Sequence, residues 1–356
     1  MAGSDKNVAL PINSPLIDAI KLLERNKKSV VVVLDLNSKV VGTISDGDIR
    51  RAFLQGVQLN ANVDIVMNPK PITALSNEKK AIVASKMVSA NVLAVPVVDA
   101  EGKFIELLTA AECQIHQSLK SNEGLLVDSA VIMAGGKGTR LRPYTESIPK
   151  PMIDVGEMPL LERQILQLKR IGITKFFLSV NYLSEVIEDY FQNGSDHGVE
   201  IKYIRENAEM GSGGGLRLFP YVPTKPVLVL NGDVLTGMNF GEFLQFHVNG
   251  GQSLTIAGVL HQISVPFGVL KTRNSDLVEI QEKPAIDFLC NGGIYIVSAE
   301  LIDWASNGSG PMTMVELIDF SIRRKKKTKV FPVHEFWNDI GTPGDLETAR
   351  TFVNKK

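Results

Sequence analysis

Seven residues, Gly135-Gly136-Lys137-Gly138-Thr139-Arg140-Leu141, follow an apolar run (Ala130 to Met133) and precede Pro149-Lys150-Pro151. A glycine turn turns its backbone N–H groups toward an anion, and Arg140 and Lys150 add fixed cations beside it. The two prolines restrict the backbone around Lys150 and so hold its charge in place. Phosphate is the natural guest of such a loop. Two familiar phosphate turns do not fit. A P-loop ends in Gly-Lys-Ser/Thr, whereas Lys137 is followed by Gly138, and a dinucleotide turn needs a third glycine where Leu141 stands. Taken alone, the stretch is also compatible with a structural turn that carries a solvated basic face.

Other residues that could do chemistry are spread along the chain. Asp233 ends the run Leu230-Asn231-Gly232-Asp233, Glu282-Lys283 precedes Pro284, and Asp339 precedes Ile340-Gly341. Singly, each reads as a turn, a strand end or a helix cap. The five histidines are scattered, and Cys113 and Cys290 have no metal-ligand spacing. A net charge of −1 gives no general attraction to nucleic acid or to an anionic membrane. Apolar runs such as Val30 to Leu34 fall far short of the roughly 20 residues that span a bilayer. A soluble, cytoplasmic protein is therefore expected. Arg323 to Lys327 reads as a solvated helix end.

Strands are expected at 129–133, 175–180, 200–203, 227–230 and 253–259, and helices at 159–171, 183–192, 214–219 and 240–249. Their alternation predicts an α/β domain, a Rossmann-like, mostly parallel sheet covered on both faces. Ligands of such a sheet sit at the carboxyl ends of its strands.

The front of the chain is a duplication. Asp35 matches Asp99, Lys39 matches Lys103, Ser45 matches Thr109 and Asp48 matches Glu112, each separated by 64 residues. Every copy has an apolar helical stretch, a β-branched strand, an Asp-containing turn, a short strand and a helix start. Ser45-x-x-Asp48 and Thr109-x-x-Glu112 have the spacing of a capping box, worth about 1 kcal/mol of helix stability. This tandem pattern resembles a CBS-domain pair (a Bateman module), an α+β unit. That resemblance implies a regulatory mononucleotide, with hydroxyls of Ser45 and Thr109 toward phosphate and carboxylates of Asp48 and Glu112 toward ribose. The second copy departs from it, since Glu106 replaces the glycine found at Gly42 and Glu112 the aspartate. Residues 1–120 are expected to form the pair, with repeats at about 8–62 and 63–120, followed by a linker at 121–128 and a second domain at 129–356.

The second domain resembles the sugar-1-phosphate nucleotidyltransferases, whose Gly-Gly-x-Gly-Thr-Arg-Leu-x-Pro and Pro-Lys-Pro motifs stand here at 135–143 and 149–151. "LNGD" at 230–233, "FGVL" at 267–270, "EKP" at 282–284, "NGGIY" at 291–295 and "DIGTPGDL" at 339–346 follow in that family's order. "MGSGGGL" at 210–216 departs from the usual Leu-Gly-Thr-Ala-Gly-Ala-Leu but keeps small residues where a base approaches the backbone. The resemblance implies an in-line attack of a sugar 1-phosphate oxygen on the α-phosphorus of an NTP, with release of pyrophosphate. It assigns Mg²⁺ to Asp233 and Asp339, the β- and γ-phosphates to Arg140 and Lys150, and the nucleotide to Gly135, Gly136, Lys137, Gly138, Thr139 and Gly211. Lys283 is assigned the sugar phosphate, and Gly268, Glu282 and Asn291 the sugar. The two-part layout is similar to that of guanylyltransferases in legionaminic acid synthesis, which favours GTP and glucosamine 1-phosphate. Mannose 1-phosphate is the alternative sugar, a catalytically silent nucleotide sensor is the rival from another class, and a homo-oligomer is expected.

Overall fold

The computed structural model describes residues 8–354 apart from 27, 29, 91, 111 and 114–125. The chain forms two compact units, 1–122 and 123–356. Part of the expected linker lies outside the described residues. Its last three residues belong to the second unit, where Val127 is buried in the core and Asp128 accepts a hydrogen bond from Tyr221.

In the first unit the elements run β1 (Ala9–Pro11), α1 (Leu16–Asn26), β2 (Val30–Leu34), β3 (Val40–Ser45), α2 (Asp46–Leu54), β4 (Ala74–Leu75), α3 (Lys80–Ala90), β5 (Ala94–Val98) and β6 (Phe104–Thr109). Two three-stranded sheets result, β1-β2-β3 and β4-β5-β6. Each has one parallel and one antiparallel pairing, and a register shift falls at Val33/Leu34 in one and Val97/Val98 in the other. The copies meet where residues 64 apart face each other. Lys39 bridges Lys103, the Val40 N–H donates to the Gly102 carbonyl (3.1 Å), and the Phe104 N–H donates to the Ser38 carbonyl (3.0 Å). That reciprocity is a local two-fold relation between repeats. Val30 and Val32 of one copy share a core with Ala94 and Leu107 of the other.

The second unit continues with β7 (Ala130–Met133), α4 (Leu160–Lys169), β8 (Lys175–Val180), α5 (Ser184–Phe191), β9 (Glu200–Arg205), α6 (Gly214–Arg217), β10 (Val227–Asn231), β11 (Val234–Thr236), α7 (Phe240–Gly250) and β12 (Leu254–Ser264). It ends with β13 (Val269–Arg273), β14 (Asp276–Gln281), β15 (Ala285–Val297), α8 (Ala299–Ser306), α9 (Met314–Arg323), β16 (Thr328–Val333), β17 (Trp337–Asp339) and α10 (Pro343–Asn354). Seven strands build the central sheet in the order β16-β12-β15-β10-β7-β8-β9. All its neighbours are parallel except the two pairings of β15, so the mostly parallel sheet expected from the sequence is present.

Strand periodicity divides the core. Ile132, Phe176, Leu178, Leu228 and Leu230 face α4, α5 and α7, whereas Val131, Phe177, Val227 and Val229 face α8 and α9. Strands buried on both faces read as continuous apolar runs, which is why they were legible. The far ends of β12 and β15 behave otherwise. Their ladder runs on to Ser264 opposite Ala285, beyond the Val259 at which the apolar pattern stops, and both ends are exposed. With the two-stranded β13–β14 sheet they form an exposed ribbon.

Both tryptophans, Trp304 and Trp337, lie in the second unit, so their fluorescence follows its unfolding in urea. Phe176→Ala should lower its stability by about 3–5 kcal/mol, because the ring is wholly buried. The exposed Val315→Ala should change it by less than about 0.5 kcal/mol.

Candidate active site

The glycine loop leaves the carboxyl end of β7, where the Ala134 N–H donates to the Ser179 carbonyl (2.7 Å) of the neighbouring strand. Gly138 adopts a left-handed conformation (φ +59°), and a Cβ there would stand 3.0 Å from both the Lys150 Cβ and the Thr145 methyl. Glycine is required twice over, by backbone angle and by the lysine stem beneath it. Thr145 Oγ1 donates to the Gly138 carbonyl (2.8 Å) and fixes the turn. Below it, Leu141, Ile153, Leu160, Leu235, Ile340 and Leu346 form a small core that joins the loop, the Pro-Lys-Pro segment, β11 and α10.

Two aspartates meet beside this loop because two short strands pair. Gly232 donates its N–H to the Met133 carbonyl (2.8 Å), and a Cβ on it would lie 2.7 Å from that oxygen. The chain therefore crosses close over β7 and enters β11. There Val234 pairs antiparallel with Asp339 of β17, and the Ile340 N–H donates to the Asp233 carbonyl (2.9 Å). Lys150 reaches both carboxylates: its Nζ is 2.5 Å from Asp233 Oδ2 and 3.5 Å from Asp339 Oδ1. The Arg140 guanidinium lies over the Gly341 backbone, 3.3 Å from where a Cβ would be.

Burial and the neighbouring Asp233 charge push the Asp339 carboxyl above the ordinary range, while Lys150 and Arg140 oppose the shift. Asp233 Oδ1 is buried without a hydrogen-bond partner. Two carboxylates, one with an unsatisfied buried oxygen, are hard oxygen donors of the kind that hold Mg²⁺ through one or two carboxylates, so the residues fit a divalent ion.

A cleft of about 560 Å³ opens over this cluster, and Gly135 to Thr139, Gly211 and Asp233 all line it. Gly211 is left-handed (φ +78°), and a Cβ would meet the Met312 carbonyl at 2.7 Å. The Met312 N–H donates to the Met210 carbonyl (2.8 Å) and the Gly213 N–H donates to the Met312 carbonyl (2.8 Å), holding this second loop in place. Lys137 forms an exposed, solvent-screened ion pair with Glu209 (2.5 Å).

Glu206, at the end of β9, also lines the cleft; Ser179 Oγ donates to its Oε1 (2.5 Å), and Asn181 donates to its carbonyl (2.8 Å). Sequence reasoning passed over it. The available signal was a carboxylate three residues past the expected strand at 200–203 and five before Gly211.

The residues assigned to the sugar divide. Asn291 sits in a bulge of β15, where its Oδ1 accepts the Gly293 N–H (3.1 Å) and Gly293 packs on Asn231 of the cleft wall. Gly268, Glu282 and Lys283 lie on the exposed ribbon. Gly268 packs near the Glu282 carboxylate, and Lys283 is left-handed (φ +46°). Among the described residues neither Glu282 nor Lys283 has a hydrogen bond to a cleft-lining group.

In the first unit Ser45 and Asp48 form a complete capping box for α2: Ser45 Oγ accepts the Asp48 N–H (3.3 Å), and Asp48 Oδ2 accepts the Ser45 N–H (2.8 Å). Asp48 Oδ1 pairs with Arg51 (2.5 Å). Thr109 and Glu112 repeat the arrangement, and Glu112 pairs with Lys28 (3.4 Å). Gly42 has a packing reason of its own, since a Cβ would fall 2.5 Å from the Met67 sulfur.

Two outcomes follow from this geometry. Ser45→Ala should cost the first unit about 1 kcal/mol in thermal or chemical unfolding, with or without nucleotide. Asp339 binds its proton more readily in the folded chain than in the unfolded one. Its carboxyl therefore favours folding below the ordinary carboxylate range, and that support is lost as pH rises through the raised value. Asp339→Asn should accordingly gain in Tm over the parent as pH rises from about 4 to about 7; an unchanged difference would contradict the burial argument.

The profile of the family described as Nucleotidyl transferase matches residues 129–356, and that of the CBS domain matches 4–55 and 63–113. A mannose-1-phosphate guanylyltransferase of Mycobacterium tuberculosis is 32% identical over 224 residues, covering 61% of this chain and 62% of its own. A mannose-1-phosphate guanyltransferase of Saccharomyces cerevisiae is 34% identical over 227 residues, with 61% and 62% covered. The chain thus spans about 62% of the length of these curated relatives. The crystal structure of HddC from Yersinia pseudotuberculosis superposes with a TM-score of 0.50 at 28% identity, covering 63% of this chain and 99% of that one. With the profile matched over residues 129–356, the chain belongs to the nucleotidyl transferase family and carries a CBS pair in front of that domain.

Proposed function

We propose that the protein transfers a nucleotidyl group from an NTP, GTP favoured, to a sugar 1-phosphate and releases pyrophosphate. The observation that carries this reading is the meeting of Lys150, Asp233 and Asp339 beside the glycine loop, with Asp233 lining the cleft. Such a transfer needs no covalent enzyme intermediate, so positioning and charge neutralisation are the whole task of the protein. The loop N–H groups and Arg140 cradle the triphosphate, with Lys150 beside them. Asp233 and Asp339 would hold Mg²⁺, which supplies neutralisation of the phosphate oxygens when bound. The nucleophile is already an anion, so no side chain has to remove a proton.

Glu206 supports guanine. Ser179 holds one of its oxygens, and a carboxylate accepts only donors. Guanine offers two adjacent donor positions on its pairing edge, N1–H and the 2-amino group, whereas adenine, uracil and cytosine each offer one. For the sugar, the layout of the chain favours glucosamine 1-phosphate, on the way to a bacterial surface glycan or nonulosonic acid. The names of the relatives favour mannose 1-phosphate instead. Asn291 and the ribbon residues Gly268, Glu282 and Lys283 would meet the sugar and its phosphate. A regulatory mononucleotide at the first unit and a second copy of the chain complete the expected partners.

The test is pyrophosphate release with Mg²⁺, each of four NTPs and a panel of sugar 1-phosphates. GTP should lead, Asp233→Asn should lower turnover on the order of 100-fold or more, and Glu206→Gln should lower kcat/KM for GTP about 10- to 100-fold. Silence with every pair of substrates would sink the reading.

A further inference from the structure

Lys150 stands where a phosphate-binding cation has no need to stand, between the two carboxylates. Its Nζ is 2.5 Å from Asp233 and 3.5 Å from Asp339, and its side chain is one-tenth exposed. The base of the stem cannot shift, because it is packed under Gly138 and set in the turn between Pro149 and Pro151. Only the outer methylenes are free to swing. An ammonium placed so cancels one of two neighbouring negative charges, that of the part-buried Asp233 first and that of the more exposed Asp339 second, and fills the space between them. A divalent ion arriving alone would have to expel it and leave a buried, unpaired ammonium, which is costly. A triphosphate in the cleft removes that cost, since the same short swing carries Nζ from Asp233 to a phosphate oxygen under the glycine loop. Arg140, lying over the Gly341 backbone, is a second cation near Asp339.

We propose that Lys150 is an internal counter-cation that keeps the Asp233–Asp339 pair closed to free divalent metal until a triphosphate draws it away. Metal and nucleotide then bind with positive, reciprocal coupling. This rests on the proposed nucleotidyl transfer only for the identity of the triphosphate; the metal test below requires no turnover.

Mn²⁺ is titrated into the full chain without nucleotide, and free ion is read by electron paramagnetic resonance. Wild type should bind weakly, and Lys150→Gln should bind one ion at least tenfold tighter. Lys150→Arg keeps the cation and should stay near wild type. Adding Asp233→Asn to Lys150→Gln should abolish the gain. Thermal melts check that each variant is folded, and wild type tests the idea without any variant. Binding of free Mn²⁺ by wild type as tight as that measured with GTP present overturns the proposal. Equal titrations of wild type and folded Lys150→Gln, or a gain that survives Asp233→Asn, overturn it too. A chain that behaves as expected here yet releases no pyrophosphate would refute the transfer reading and leave the counter-cation intact.

Discussion

Two carboxylates and one ammonium drawn together, the ammonium and one carboxylate largely removed from water, set the demands that the second unit has to meet. Unpaired charges are expensive in such a place, and Asp233 Oδ1 is left unsatisfied there. The surrounding architecture supplies rigidity rather than compensation. Gly232 lets the chain cross within contact of β7, β11 locks to β17, and the core around Leu141, Ile340 and Leu346 ties three separate segments into one floor. Structures commonly keep such strained charge at sites where a ligand will relieve it.

Much of this was legible in the sequence, for identifiable reasons. Strands covered on both faces announce themselves as unbroken apolar runs, so β7, β8 and β10 stood out. The glycine loop was readable because its constraint is local: Gly138 is left-handed and has Lys150 packed against it. Features that depend on long-range contact were not. The ion pair of Lys150 with Asp233 spans 83 residues, and nothing in their spacing tells an ammonium to face a carboxylate rather than a phosphate. Glu206 owes its place to Ser179 on an adjacent strand. The ribbon escaped because its strands, exposed along their length, lack the one-sided pattern that marks a strand.

Repetition made the first unit readable in another way. A duplicated sequence need only be compared with itself, and the shared 64-residue interval reappears as the bridge between Lys39 and Lys103. Backbone groups of residues 38, 40, 102 and 104 join the copies across the axis, and the core of Val30, Val32, Ala94 and Leu107 and the Lys28–Glu112 pair add side-chain contacts to them. Each motif carboxylate already has a partner, Arg51 in one copy and Lys28 in the other, so any ligand there competes with a helix cap and an ion pair at once.

The pairing of β11 with β17 also has a temporal side. Asp233 is made about halfway through the second unit, and Asp339 arrives only when the strand opposite Val234 has been synthesised. A nascent chain could complete most of its parallel sheet and its glycine loop with a single aspartate and the lysine facing each other. The pair of carboxylates is therefore complete only once both strands are present.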